Sequence, residues 1–285
     1  MTVLVMFGAI AGFFFVVERL FPRVPAQRIM RRGFFADMLY LPVQYVLRVL
    51  ISFLGASLLT EIGSRSLPGS VSILSGRPIW LQAIVVVIVL DFFFYVMHRL
   101  KHRWHWWWRL HETHHSSEEM DFLSSVRFHP LEKLLDRVIF LLPLTVLGAD
   151  EPALLVWSGI DVFFGMLNHS NTRIRLGPLH AIFVGPEMHL WHHVQDPVRG
   201  DCNFGNNLSI FDWMFGTARL HDEEPVHFGI ETPDFPHESF VRQFFFAFRT
   251  RDQFDIARTM ASVEQQAARL KLGKDGAALG RAATE

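Results

Sequence analysis

From residue 79 to residue 97 the chain carries one charge, Asp91, and at His98 this apolar run gives way to HRLKHRWHWWWRLHETHH, six histidines in eighteen residues. An apolar run of roughly 17–25 residues is long enough to cross the ~30 Å hydrocarbon core of a bilayer as a helix. Two further runs qualify. Residues 3–20 hold their charges at the end, and residues 38–59 are interrupted by Pro42 and Arg48. The first lacks the basic start of a signal peptide and is read as retained. Residues 138–148 and 153–167 are apolar but short, broken by Pro143, Pro152 and Asp161, which fits a hairpin that dips into the membrane and returns. Composition agrees: half the residues are hydrophobic, 28 are Phe, and the mean hydropathy is +0.23, all characteristic of a membrane protein.

The expected fold is therefore an all-α integral membrane protein. Residues 1–97 supply about three transmembrane helices. Residues 98–235 form a histidine-rich region that includes the membrane hairpin 138–167, and residues 236–285 are a C-terminal segment with a polar tail, disordered from about Gly273. Basic residues set the orientation. Arg19, Arg23, Arg28, Arg31 and Arg32 follow the first run and Arg99, Lys101, Arg103 and Arg109 follow the third, against Arg65 and Arg77 alone between the second and third. The positive-inside rule then makes the histidine-rich region a cytoplasmic helical cap, here on a bacterial inner membrane. Asp37 and Arg48, eleven residues apart, could pair on the second helix.

A formal net charge of −1 argues against a nucleic-acid partner, and the single cysteine, Cys202, can form neither an internal disulfide nor a cluster site. Histidine is the unusual residue: 12 of the 15 lie between His98 and His193. His98 and His102 are four apart, His111, His114 and His115 stand at i, i+3 and i+4, and His189, His192 and His193 repeat that pattern. Such positions share a helix face, so each cluster can offer two or three imidazoles to one metal. At this histidine frequency an HxxHH arises by chance in only ~0.04 copies, so two copies are not an accident of composition. Eight imidazoles exceed one coordination sphere and imply two ions; neutral imidazole suits zinc, copper, iron and nickel alike.

HRLKH, HETHH and HLWHH, in that order after paired apolar runs, resemble the HxxxH, HxxHH, HxxHH pattern of the membrane fatty acid hydroxylase and sterol desaturase superfamily. RFHPLE at 127–132, NHSN at 168–171, LGPL at 176–179 and NFGNNLSIFDWMFGT at 203–217 extend the resemblance over about half the chain. It implies His98, His102, His111, His114, His115, His189, His192 and His193 as ligands, with His169 the ninth, to a di-metal centre taken to be two Fe ions. Zinc is the occupant a purified form could carry instead. Some relatives place a further histidine where this chain has Gly165, so a tenth ligand is absent at that position. The resemblance also implies O2 as co-substrate, an external electron donor, and a membrane lipid that is hydroxylated or desaturated. No dinucleotide fingerprint occurs, so a separate reductase, a small electron carrier or a pterin is expected, docked on Arg28, Arg31, Arg32, Lys101 and Arg103 unless these serve orientation alone.

Asp91, His129, Asp161 and Asn168 are candidate outer partners of the ligands. Asp91 lies seven residues before His98 and Asp161 eight before His169, where each could accept a hydrogen bond from an imidazole; contacts between helices are the alternative. His129 reads equally as structural, and Asn168 could equally cap its helix. His105 is assigned with Trp104, Trp106, Trp107 and Trp108 to an interfacial belt, His180 to a structural role, and His221, His227 and His237 to the exposed surface. Two other functions compete. HETHH is also HExxH, the zinc motif of a metallopeptidase with Glu112 as base, but HLWHH has Leu190 where that glutamate would stand. A metal transporter would need its polar ligands within the bilayer, whereas these follow the span.

Overall fold

The computed structural model describes residues 2–47, 50, 73–232 and 234–249. Among these the chain is helical, with isolated bridges and no β-strand. The long helices are α1 (Thr2–Leu20), α2 (Phe34–Leu47), α3 (Ile79–Arg103), α4 (His105–His115), α5 (Pro130–Leu147) and α6 (Glu151–His169). Short ones follow: α7 (Pro186–His192), the single turn α8 (Pro197–Gly200), α9 (Ile210–Met214) and α10 (Phe240–Phe246). Two 3₁₀ turns, Phe122–Val126 and Gly177–Ala181, complete the set.

Among the described residues two helices, Val3–Leu20 and Ile79–Arg103, are long and apolar enough to cross a membrane. The second expected span begins as α2, and the rest of 38–59 lies largely outside the described residues, as does the tail from Gly273. Arg48 also lies outside them, and Asp37 has other partners. It receives Arg31 at 2.8 Å and Arg127 at 2.5 Å, all three buried.

The hairpin is not short. α5 and α6 have 18 and 19 residues, about 27 Å each at 1.5 Å per residue. Pro143 removes one N–H from α5 without ending it, because Phe140, Leu144 and Leu147 on either side pack into a core with Val86 and Leu90 of α3. Gly148 closes α5 in the left-handed region at φ 56° and donates its N–H to Leu144 O, a conformation that favours glycine. The hairpin tip meets the start of α3, where Gln82 donates to the Asp150 carboxylate at 2.6 Å and accepts from the Asp150 N–H at 2.7 Å. The hairpin thus runs the length of α3, and its free ends, His129 and His169, return to the end where α3 carries His98.

α6 packs against α1, α3 and α7. Phe14 of α1, Met166 and Leu167 of α6 and Phe122 and Leu123 of the 3₁₀ turn form the core under this end of the molecule. Above it Glu18, at 1% exposure, accepts the backbone N–H groups of Phe122 and Asn171. One carboxylate therefore ties the end of α1 to both segments that flank the histidines.

Candidate metal centre

α3 ends at Arg103, Trp104 adopts an extended conformation, and α4 starts at His105. That single break turns the helix axis, so the histidines of α4 face those on the last turns of α3. α7 begins with Pro186 in its first turn, which suits a residue lacking an N–H. Gly185 before it has no room for a side chain, since a Cβ would meet Glu187 and Leu176 within 3 Å.

Nine histidines gather into two groups: His98, His102, His111, His115 and His192 in one, His114, His169, His189 and His193 in the other. Within each group the candidate donor atoms lie within 4.8 Å of one another. The motifs do not map one to a site. HETHH gives His111 and His115 to the first group and His114 to the second; HLWHH gives His189 and His193 to the second and His192 to the first. Helix geometry explains the split, because residues i and i+4 differ by about 40° in direction while i+3 and i+4 differ by about 100°. Each HxxHH therefore contributes to both groups.

The ring tautomers follow from the partners. A carbonyl only accepts, so Nδ1 carries the proton in His98 (to Phe204 O, 2.7 Å), His192 (to Cys202 O, 2.7 Å), His114 (to Arg127 O, 3.2 Å) and His169 (to Gly165 O, 2.7 Å). The neutral ring then presents a lone pair at Nε2. Those of His98 and His192 face each other at 2.9 Å, and those of His114 and His169 at 3.2 Å. The Nε2 atoms of His102, His111 and His115 are buried without partners. Protonation would relieve the repulsion, but burial and then neighbouring imidazoles hold His114, His115, His189 and His193 well below the usual range, and hold His192 at about 3. Converging neutral lone pairs at this spacing fit a cation in each group.

Behind the rings stand mainly backbone carbonyls, with one exception. Glu132 of α5 accepts the Nδ1 proton of His111 at 2.8 Å on the same oxygen that receives Lys101 Nζ at 2.8 Å, and Lys101 also donates to Asp136 at 2.8 Å. Burial opposes ionisation of Glu132, but Lys101 and His111 outweigh it and hold the carboxyl below the usual range. Sequence reading passed over this cluster. Its signals were two acids one helical turn apart in α5 and a lysine one residue before His102.

The expected outer partners are placed differently. Asp91 accepts the N–H groups of Asn207 and Leu208 and the Asn207 amide at 2.7–3.0 Å, and Asp161 accepts from Asn206 at 2.9 Å. Neither touches an imidazole. Asn168 donates to Asn206 O at 2.7 Å, so all three hold the loop 203–208, whose Phe204 carbonyl in turn holds His98. His129 caps α5 through Nδ1 and donates from Nε2 to Phe244 O, so it has no nitrogen left for a metal. Of the proposed docking cations, Arg31 and Lys101 are buried in ion pairs at 4% and 1% exposure, whereas Arg28, Arg32 and Arg103 are exposed.

His105 and His180 belong to neither group. His227 is exposed as expected. His221 is half-buried and stacks on Trp191 at 3.9 Å, and His237 is half-buried with Nδ1 at 3.0 Å from Ser116 O. Glu112, fully buried, receives the Thr232 hydroxyl at 3.3 Å and is in neither group. His111 and His115 share their site with three further imidazoles, unlike a peptidase pair. Glu112→Gln is accordingly expected to keep the wild-type metal content, while His114→Ala loses about half of it. Elemental analysis of both purified variants checks this, and a metal-replete but inactive Glu112→Gln beside a fully active His114→Ala would restore the peptidase reading.

A helical scaffold that gathers nine imidazoles into two adjacent cages is one that could hold two metal ions. Residues 83–217 match the family model described as fatty acid hydroxylase. An ornithine lipid hydroxylase from Rhizobium tropici is 36% identical over 49% of this chain and 42% of its own length. Alkylglycerol monooxygenases from Caenorhabditis elegans and Xenopus tropicalis are 31% and 30% identical over 48% and 54% of this chain, and 27% and 34% of their own lengths. Over residues 83–217, just under half of its length, the chain is similar to the membrane fatty acid hydroxylase superfamily. It spans between a quarter and a half of the length of these relatives. No solved structure matches it.

Proposed function

We propose that the chain is a membrane-bound non-haem di-iron oxygenase that hydroxylates the hydrocarbon chain of a membrane lipid, using O2 and electrons from a separate donor. The observation that carries this reading is the pair of all-imidazole cages with facing Nε2 lone pairs. His98, His102, His111, His115 and His192 hold one iron, and His114, His169, His189 and His193 the other. Residues 1–97 anchor the chain, 98–235 carry the catalysis, and the site faces the cytoplasmic side of a bacterial inner membrane. The relatives' names share a lipid with a polar head and speak of hydroxylation or monooxygenation, which favours oxygen insertion over desaturation.

When bound, the two irons supply the O2 chemistry that breaks an unactivated C–H bond. The chain's own groups do the rest. Nine neutral donors leave the positive charge of the metals uncompensated, and Glu132 places one negative charge behind His111 alone, so the two sites are electronically unequal. Phe204 lies against the rings of His98, His102 and His192 at 5.3–5.6 Å and Phe128 stacks on His114 at 4.0 Å, walling the cages with aromatic faces that exclude water. The Nδ1 bonds to rigid backbone fix every ring direction they touch, so the donor set is organised before metal enters.

Lipid extracts from cells expressing the wild type or His192→Ala are expected to differ by a species one oxygen heavier, measured by mass spectrometry. A loss of two hydrogens would reassign the chain as a desaturase, and unchanged lipids with changed cellular metal would favour a transporter.

A further inference from the structure

α9 turns its polar groups inward and its apolar groups outward, the reverse of a helix that faces water. Ser209 and Asp212 are fully buried, and the Asp212 carboxylate accepts the N–H groups of Phe204 and Gly205 at 2.8 Å and the Thr217 hydroxyl at 2.7 Å. Gly205 has no alternative side chain here, since a Cβ would meet Leu208 O at 2.5 Å. The indole N–H of Trp213 donates to His180 O at 3.1 Å. Outward stand Ile210, Trp213, Met214 and Phe215, 36%, 44%, 67% and 48% exposed, joined by Leu179 and Ile182 at 54% and 44% through the Ser209 N–H bond to Ile182 O. A contiguous apolar patch of this kind marks an interaction surface.

Its position identifies the occupant. Phe211 and Phe215 lie 5.3 and 6.3 Å from Phe92, and Phe215 stacks on Tyr95 at 5.5 Å. Phe92 precedes His98 by six residues on α3, about 9 Å toward the middle of that helix. It belongs to the exposed stripe Ile84, Ile88, Phe92 and Val96, spaced one turn apart on the candidate span Ile79–Arg103. The patch on α9 therefore continues the apolar face of α3 at a depth where that face meets hydrocarbon.

We propose that residues 208–216, with Leu179 and Ile182, form a wedge inserted in the leaflet on the metal side, its occupant being lipid acyl chains. This rests on the membrane reading of α3, and it revises the expectation that the histidine-rich region outside the hairpin is a cytoplasmic cap. The wedge and the five-histidine cage move as one unit, because Asp212 holds the backbone of Phe204 and Phe204 O holds His98. The insertion thus seats that cage at the depth of the acyl chains it is to oxidise.

The test uses the full chain in phosphatidylcholine and phosphatidylglycerol vesicles, with Met214→Cys, Ile88→Cys or Val226→Cys labelled by a nitrobenzoxadiazole dye. Cys202, 3% exposed, stays unlabelled, and Val226, 74% exposed, reports the aqueous surface. Met214 is expected to follow Ile88, losing about half its emission to doxyl-labelled lipid and under about a tenth to iodide, with Val226 showing the reverse. Met214 following Val226 while Ile88 stays lipid-exposed overturns the wedge alone. Ile88 quenched by iodide overturns the membrane reading and the wedge with it.

Discussion

His169→Gln is expected to lower the metal content from about two ions per chain to about one and to reduce lipid turnover by at least about 100-fold. The residue ends α6, and its ring contributes to the smaller group, which has four members against five. No nearby imidazole can replace it. The position one turn earlier is Gly165, where a Cβ would meet nothing within 4 Å, so the space behind the ring is open rather than filled by a spare donor. Three imidazoles hold an ion more weakly than four, so the smaller group is the one expected to empty during purification. His180→Gln is the control, since His180 lies in the turn Gly177–Ala181 outside both groups, and it is expected to keep both ions. Metal analysis together with lipid turnover decides. Two ions and normal turnover in His169→Gln would remove this residue from the ligand set.

Lys101→Met is expected to be strongly destabilising although Lys101 is not among the clustered histidines. Lys101 bridges Glu132 and Asp136 at 2.8 Å each, with side-chain exposures of 1%, 0% and 4%. Without the ammonium two buried carboxylates face each other, a loss on the order of 3–5 kcal/mol for breaking a buried ion pair. Glu132→Gln differs in kind. The amide oxygen still accepts the His111 proton and Lys101 keeps Asp136, so the fold survives, while the charge behind His111 is gone. Affinity for one of the two ions is then expected to fall about 10–100-fold. Thermal unfolding in detergent separates the two variants, and chelator competition reads the second effect. Equal stability of Lys101→Met and the wild type would sink the first expectation, and unchanged affinity in Glu132→Gln the second.

Much of this was legible in the sequence because it is local. The apolar runs and their basic flanks marked α1 and α3, and HxxxH and the two HxxHH motifs named eight of the nine clustered histidines from spacing. The ninth, His169, came from the resemblance. The length of the hairpin was misread, since Pro143 looked like a terminator and is instead carried by packing on α3.

The sequence by itself determined which residues share a helix face, because the 3.6-residue period acts between near neighbours. Tertiary structure alone decided which faces meet. The break at Trp104 and the approach of α7 split each HxxHH between two cages. Asp91 reached Asn207 rather than His98, across 116 residues, and Glu132 rather than Asp91 came to stand behind a ligand ring. Apolar helix faces tolerate many crossings of similar energy, so periodicity leaves such meetings open. They are settled only when buried carboxylates, amides and carbonyls find the arrangement in which their partners are supplied.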